Sequence, residues 1–185
     1  MPRPLREDSP GLFQHVYARG NRRQEIFRDE RDYGLYLALL GGIARAKKWR
    51  LLAYCLMPNH VHLLIETAEG NLARGMQDLH GLYARIFNDR HGVPGHLFQG
   101  RYGSKVVRDD IQFSAVVRYI ALNPIEADLC DAPEAWPWNS FSDVVGGAMP
   151  EWLDVERLFA CLDAAGADPA ESYRRLVSAG LPVPG

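Results

Sequence analysis

The sequence predicts an α+β fold of the ferredoxin-like, split βαβ type: an antiparallel sheet with helices on one face, plus a C-terminal, mostly helical extension. Three observations predict it. Residues 50–57 (RLLAYCLM) and 60–67 (HVHLLIET) are strand-like runs joined only by Pro58-Asn59, which reads as a hairpin. A helix-period stripe precedes that hairpin and another follows it. Shorter strand-like segments lie outside both. The order is therefore β-α-β-β-α-β, then α.

The first strand is residues 11–19 (GLFQHVYAR), with Phe13 and Tyr17 on a different face from Leu12, Val16 and Ala18. RGNRRQ makes a Gly-Asn turn carrying Arg19, Arg22 and Arg23. Asp29 is placed to cap a helix reaching about Lys48, with Tyr33, Tyr36, Leu37, Leu40 and Ile43 as its apolar stripe. Lys47 and Lys48 suit its C-terminal dipole. Gly41 and Gly42 oppose it by roughly 1 kcal/mol each. After the hairpin, Leu72, Met76, Leu79, Tyr83 and Ile86 mark a second helix over 70–90. HGVPGH is a loop, and 97–107 (LFQGRYGSKVV) holds a fourth strand near its end. A third helix starts at Asp109 or Asp110 and runs toward Pro124, with Phe113, Val116, Val117 and Ile120 facing the core. Residues 1–10 are expected to be a flexible arm, 11–130 one domain, and 131–185 an extension packed on or near it, with a last helix around Glu171–Ala179.

The 185 residues suffice for one domain with an appendage. No apolar run has membrane-spanning length, and MPRPLREDSPG carries no apolar stretch of a secretory signal, so a cytoplasmic location is expected. Cys55, Cys130 and Cys161 are odd in number and far apart, which excludes a disulfide frame or zinc knuckle. The net charge of -2 hides an asymmetry: residues 1–108 hold 17 Lys/Arg against 10 Asp/Glu, and residues 109–185 hold 4 against 13. A basic front portion suits phosphate backbones; plain solvated surface would look the same.

Side chains two apart on a strand point the same way, so His60 and His62 share one face, with Val61, Leu63 and Ile65 on the other. Two imidazoles so held form two sites of a metal centre, or are two unrelated histidines. On the third helix, Tyr119 and Asn123 share a face with Gln112 and Ala115, offset from the core stripe. Pro124 disfavours helical geometry at Asn123, so the helix is expected to end or bend there and free the amide oxygen as a ligand. The plainer reading is a half-buried tyrosine and a C-capping asparagine. Tyr102, in the basic GRY segment, is a rival candidate among eight tyrosines.

MPNHVHLLIE, with RGNRRQEIF before it and LFQGRY and VVRYIALNPIEA after it, resembles the single-tyrosine HUH transposase superfamily, in particular the REP-associated tyrosine transposases. The resemblance spans about residues 11–142, including WPWNSF. It implies metal-dependent cleavage and strand transfer of single-stranded DNA through a 5′-phosphotyrosine, at hairpin or palindromic repeats. His60, His62 and Asn123 match the metal ligands and Tyr119 the nucleophile. The implied ion is Mg²⁺ or Mn²⁺; two imidazoles are softer than magnesium's usual oxygen set, which favours Mn²⁺. One tyrosine handles one strand at a time, so concurrent cleavages would need a homodimer. A nucleoid-associated location follows from the DNA partner.

Arg19, Arg22 and Arg23, and Arg101, Lys105 and Arg108, form two basic groups suited to phosphate contacts. Trp136, Trp138 and Phe141 either stack on unpaired bases or staple the tail to the domain. Gly103 stands where similar sequences often carry Lys after GRY, which puts one phosphate contact in doubt. Two competing readings remain at this level: a hairpin-binding protein with little or no catalysis, and a metal hydrolase that acts on something other than DNA and does not need Tyr119.

Overall fold

The computed structural model describes residue 7, residues 9–162 and residues 168–179. Most of the expected arm over 1–10 lies outside the described residues. The sheet consists of β1 (Phe13–Arg19), β2 (Trp49–Met57), β3 (His60–Thr67) and β4 (Gly103–Val107), in the order β2-β3-β1-β4 and wholly antiparallel. Between them run α1 (Glu30–Lys47) and α2 (Leu72–His91), and α3 (Asp110–Glu126) follows. The tail adds α4 (Ser140–Gly146), α5 (Val155–Cys161) and α6 (Pro169–Ser178). The α+β architecture and the chain order of the elements are those the sequence predicts, but the helices do not all share one face: α3 lies on the opposite side from α1 and α2.

Local chemistry sets the ends of these elements. The Asp29 carboxylate accepts the Arg31 and Asp32 backbone N–H groups at the start of α1, and Asp109 accepts that of Gln112 at the start of α3. Asp32 is fully buried and accepts from Arg28 N–H, Arg90 and His91, so the start of α1 is tied to the end of α2. These two helices cover one face of the sheet, where Trp49 lies over Gly75 and donates to Asn71 Oδ1 at 2.7 Å. The opposite face, which carries Phe13 and the two histidines, is crossed by α3. Leu64 and Ala53 on that face are fully buried, so it could not stay open to water.

Of the two expectations at Asn123, an end or a bend, the end is not met. The helix runs to Glu126 with Pro124 inside it, and the Ala127 N–H closes the last turn on the Asn123 carbonyl at 3.1 Å. Proline there loses its own N–H bond and crowds the carbonyl one turn back, costs that the packed neighbours of this last turn offset. Phe113, Val117, Ile120, Ala121 and Leu122 are all buried.

The open edge of β2 is sealed by the tail. Leu56 N–H donates to Trp138 O, Tyr54 N–H to Ser140 Oγ, and Asp154 N–H to Leu51 O, all within 2.8–2.9 Å. An uncovered edge strand is a template for aggregation, and these contacts remove it. Trp138 stacks on Tyr33, Trp136 donates its indole N–H to Leu56 O, and Phe141 is buried, so these aromatics staple the tail. Gly41 has the same logic: a side chain there would overlap the Trp152 indole.

Candidate functional site

A cavity of about 720 Å³ opens between α3 and the β1–β3 part of the sheet. His60, His62 and Tyr119 line it, as do Arg19 and Lys105. The antiparallel register brings this about: Tyr17 lies opposite His62 and Arg19 opposite His60, while α3 lays Tyr119 and Asn123 above them. The His62 and Tyr119 rings are 5.2 Å apart, centroid to centroid.

His60 is held at both ring nitrogens. Nδ1 lies 2.7 Å from Asn59 Oδ1 and Nε2 lies 3.0 Å from Asn123 Oδ1. Burial, together with Arg19, outweighs the Asn123 contact and lowers its pKa, so the ring is neutral near pH 7 and has one N–H. His60 Nε2 and Asn123 Oδ1 stand side by side, placed as two donors to one cation would be. His62 is buried, and burial, reinforced by His15, His60 and Arg19, pushes its pKa far down. Both imidazoles are thus kept in the form that binds metal. Two imidazoles and an amide oxygen suit a borderline divalent ion.

Two residues of this site escape a reading by motif. His15 Nε2 lies 3.0 Å from His62 Nδ1, which fixes the His62 ring and leaves its other nitrogen free. Burial and Lys105 lower the His15 pKa to about 4, so it stays a neutral partner. Because it reaches a ring nitrogen of His62, His15 supports the pair. The signal was its place two residues before Tyr17 on an alternating strand. Asn59 is the second: besides holding His60, it donates to Arg23 O and its carbonyl accepts Gly20 N–H, binding the arginine turn to the hairpin.

The basic residues divide. Arg19 and Lys105 face the cavity. Arg101 lies in the adjoining groove, with Arg19 and Tyr17 at its boundary. Arg22 and Arg23 are exposed in a 3₁₀ turn, both with positive φ (53° and 63°), a conformation that costs energy outside glycine. Arg108 is not brought to the cavity; it pairs with Glu7 at 2.7 Å. The rival Tyr102 is buried and does not line the cavity, whereas Tyr119 is 38% exposed.

Residues 10–123, well over half of the chain, match the family model described as IS200-like transposase. Among solved structures, the chain is similar to a REP-associated tyrosine transposase bound to a REP hairpin, at 17% identity and a TM-score of 0.67, over 84% of this chain and 93% of that one. A candidate transposase from Deinococcus radiodurans R1 matches at 20% identity and a TM-score of 0.45, over 71% of this chain and 100% of that one. No curated protein matches the chain.

Proposed function

The chain belongs to the IS200-like transposase family, and from that premise we propose that it cleaves and rejoins single-stranded DNA at hairpin or palindromic repeats through a covalent 5′-phosphotyrosine on Tyr119. The observation that carries this reading is the convergence of His60, His62 and Tyr119 on one cavity, with Asn123 against His60.

Each residue has a definite task. His60, His62 and Asn123 would hold the divalent ion, Mg²⁺ or Mn²⁺, which would polarise the scissile phosphate and stabilise charge on its oxygens. Asn59 and His15 keep the two rings in position. Arg19 and Lys105 receive the flanking phosphates. Tyr119 loses its phenolic proton as its oxygen attacks phosphorus; the bond to the 3′-oxygen breaks, and that oxygen leaves as a 3′-hydroxyl. The phosphoester is conserved, so another 3′-hydroxyl can reverse the step. One Tyr119 per chain acts on one strand at a time, so paired cleavages call for a homodimer or for successive reactions.

Hairpin DNA is the favoured partner because the REP-associated protein of similar fold is bound to one. Residues 11–130 constitute the catalytic unit in this reading, and 131–185 an extension that seals β2. Among the described residues no helix is long and apolar enough to cross a membrane. The test is incubation with labelled hairpin oligonucleotides from the DNA flanking the gene, with Mn²⁺ or Mg²⁺. A protein–DNA adduct that survives a denaturing gel is expected. Tight binding with no adduct would leave a hairpin-binding protein in its place.

A further inference from the structure

We propose that Tyr17 is a stacking platform for one unpaired nucleobase next to the scissile phosphate, a subsite separate from the metal ligands and the nucleophile. The inference rests on the reading of the cavity as a DNA-cleavage site and deepens it.

Tyr17 is an unusual residue for its position. It sits in an interior strand of the sheet, paired on both sides, yet remains 37% exposed. It lies directly opposite His62 on one side and Gly103 on the other. A side chain at Gly103 would overlap the Tyr17 ring, with the nearest ring carbon only 2.3 Å from its Cβ. The ring therefore lies over bare β4 backbone and is propped there, while the rest of it opens into the cavity. This also accounts for glycine after Arg101-Tyr102: a lysine there would displace the ring.

The surroundings define the ligand. His62 and His15 are the neighbouring rings, with centroids 6.4 Å and 5.7 Å away. Arg19 and Lys105 line the same cavity. A flat aromatic surface flanked by cations is the arrangement that binds single strands, with phosphates on the cations and a base on the ring. It favours an unpaired base, because a base inside a duplex has no free face to offer. The site's other aromatic candidates are spent: Trp136 and Trp138 hold the tail to β2 and α1.

The test uses the full chain and a fluorescent hairpin from the gene's flanks with short unpaired arms, in which each unpaired base is replaced in turn by an abasic site. In the wild type, one abasic position should weaken binding by roughly 5- to 150-fold. Tyr17→Ala should lose a similar factor with intact DNA and then be indifferent to that abasic position. Tyr17→Phe should bind as the wild type does. Gly103→Ala should weaken binding, since only the movable end of the Tyr17 ring has to yield. A uniform abasic response in the wild type, undiminished binding by Tyr17→Ala, or a Tyr17→Phe defect as large as that of Tyr17→Ala would overturn the platform. Failure of the wild type to bind any such hairpin would overturn the DNA reading itself, and the platform with it.

Discussion

Replacing Tyr119 by phenylalanine separates chemistry from structure more cleanly than any other change in this protein. The ring faces the cavity from α3 and packs against His15 and His62 at centroid distances of 5.8 Å and 5.2 Å, contacts that phenylalanine keeps. Its hydroxyl has no hydrogen-bond partner among the described residues, so the ordinary loss of about 1 kcal/mol does not apply. The expected stability change is within about 0.5 kcal/mol, or roughly 2 °C in melting temperature for a chain of this size. Hairpin affinity should be unchanged within about twofold, since one exposed hydroxyl contributes little. Covalent adduct formation should vanish, because no oxygen remains to attack phosphorus. Thermal melting, fluorescence anisotropy and a denaturing gel read these three quantities on one preparation. Tyr102→Phe and Tyr17→Phe are the controls, and both should form the adduct. An adduct with Tyr119→Phe that disappears in either control would move the nucleophile. DNA cleavage by all three without an adduct would replace the transferase with a metal-dependent nuclease.

Further expectations concern the metal, the DNA, the tail and pH. His60→Ala should abolish cleavage, and EDTA should silence the wild type until Mn²⁺ or Mg²⁺ is restored; full activity in EDTA would refute the metal assignment. A hairpin with single-stranded arms should bind more tightly than a blunt duplex of equal length, with affinity falling steeply with salt; equal affinities and a flat salt response would count against the basic cavity as a DNA track. Asn139 is fully buried, donates to Ala121 O and caps α4 through Phe141 N–H, so Asn139→Ala should cost about 2–4 kcal/mol, seen as a drop of roughly 5–15 °C in melting temperature. His80 is stacked on Phe98 and touches the Tyr36 hydroxyl, and burial lowers its pKa to about 3. Below pH about 6.5 the unfolded chain takes up a proton at His80 that the folded one refuses, so His80 alone lowers stability by at most about 1.4 kcal/mol per pH unit until pH approaches 3, and His15, His60 and His62, lowered likewise, add to the slope. His80→Gln should reduce that slope by up to about 1.4 kcal/mol per pH unit in urea titrations at pH 6.5 and 4.5, and an unchanged slope would exclude a contribution from His80.

Much of the fold was legible in the chain because its signals are local. Alternation in HVHLLIET and the steps from Leu72 to Ile86 each depend on a few neighbouring residues; the strand keeps its predicted bounds and the helix shifts by a residue or two. Strand period alone aligned His60 with His62, and helical period aligned Tyr119 with Asn123. Tertiary structure decided the rest. Nothing local says that Tyr17 pairs with His62, that His15 reaches the His62 ring, or that Gly103 gives its space to an aromatic ring, because register joins residues some 40 to 90 positions apart. Neither could a pairwise rule about proline foresee that α3 continues past Pro124, where buried neighbours outweigh one lost hydrogen bond. The sequence by itself determined the four strands and three helices of the main domain and which of their side chains share a face. Only the folded sheet, by setting register and laying α3 across it, decided which of those faces meet.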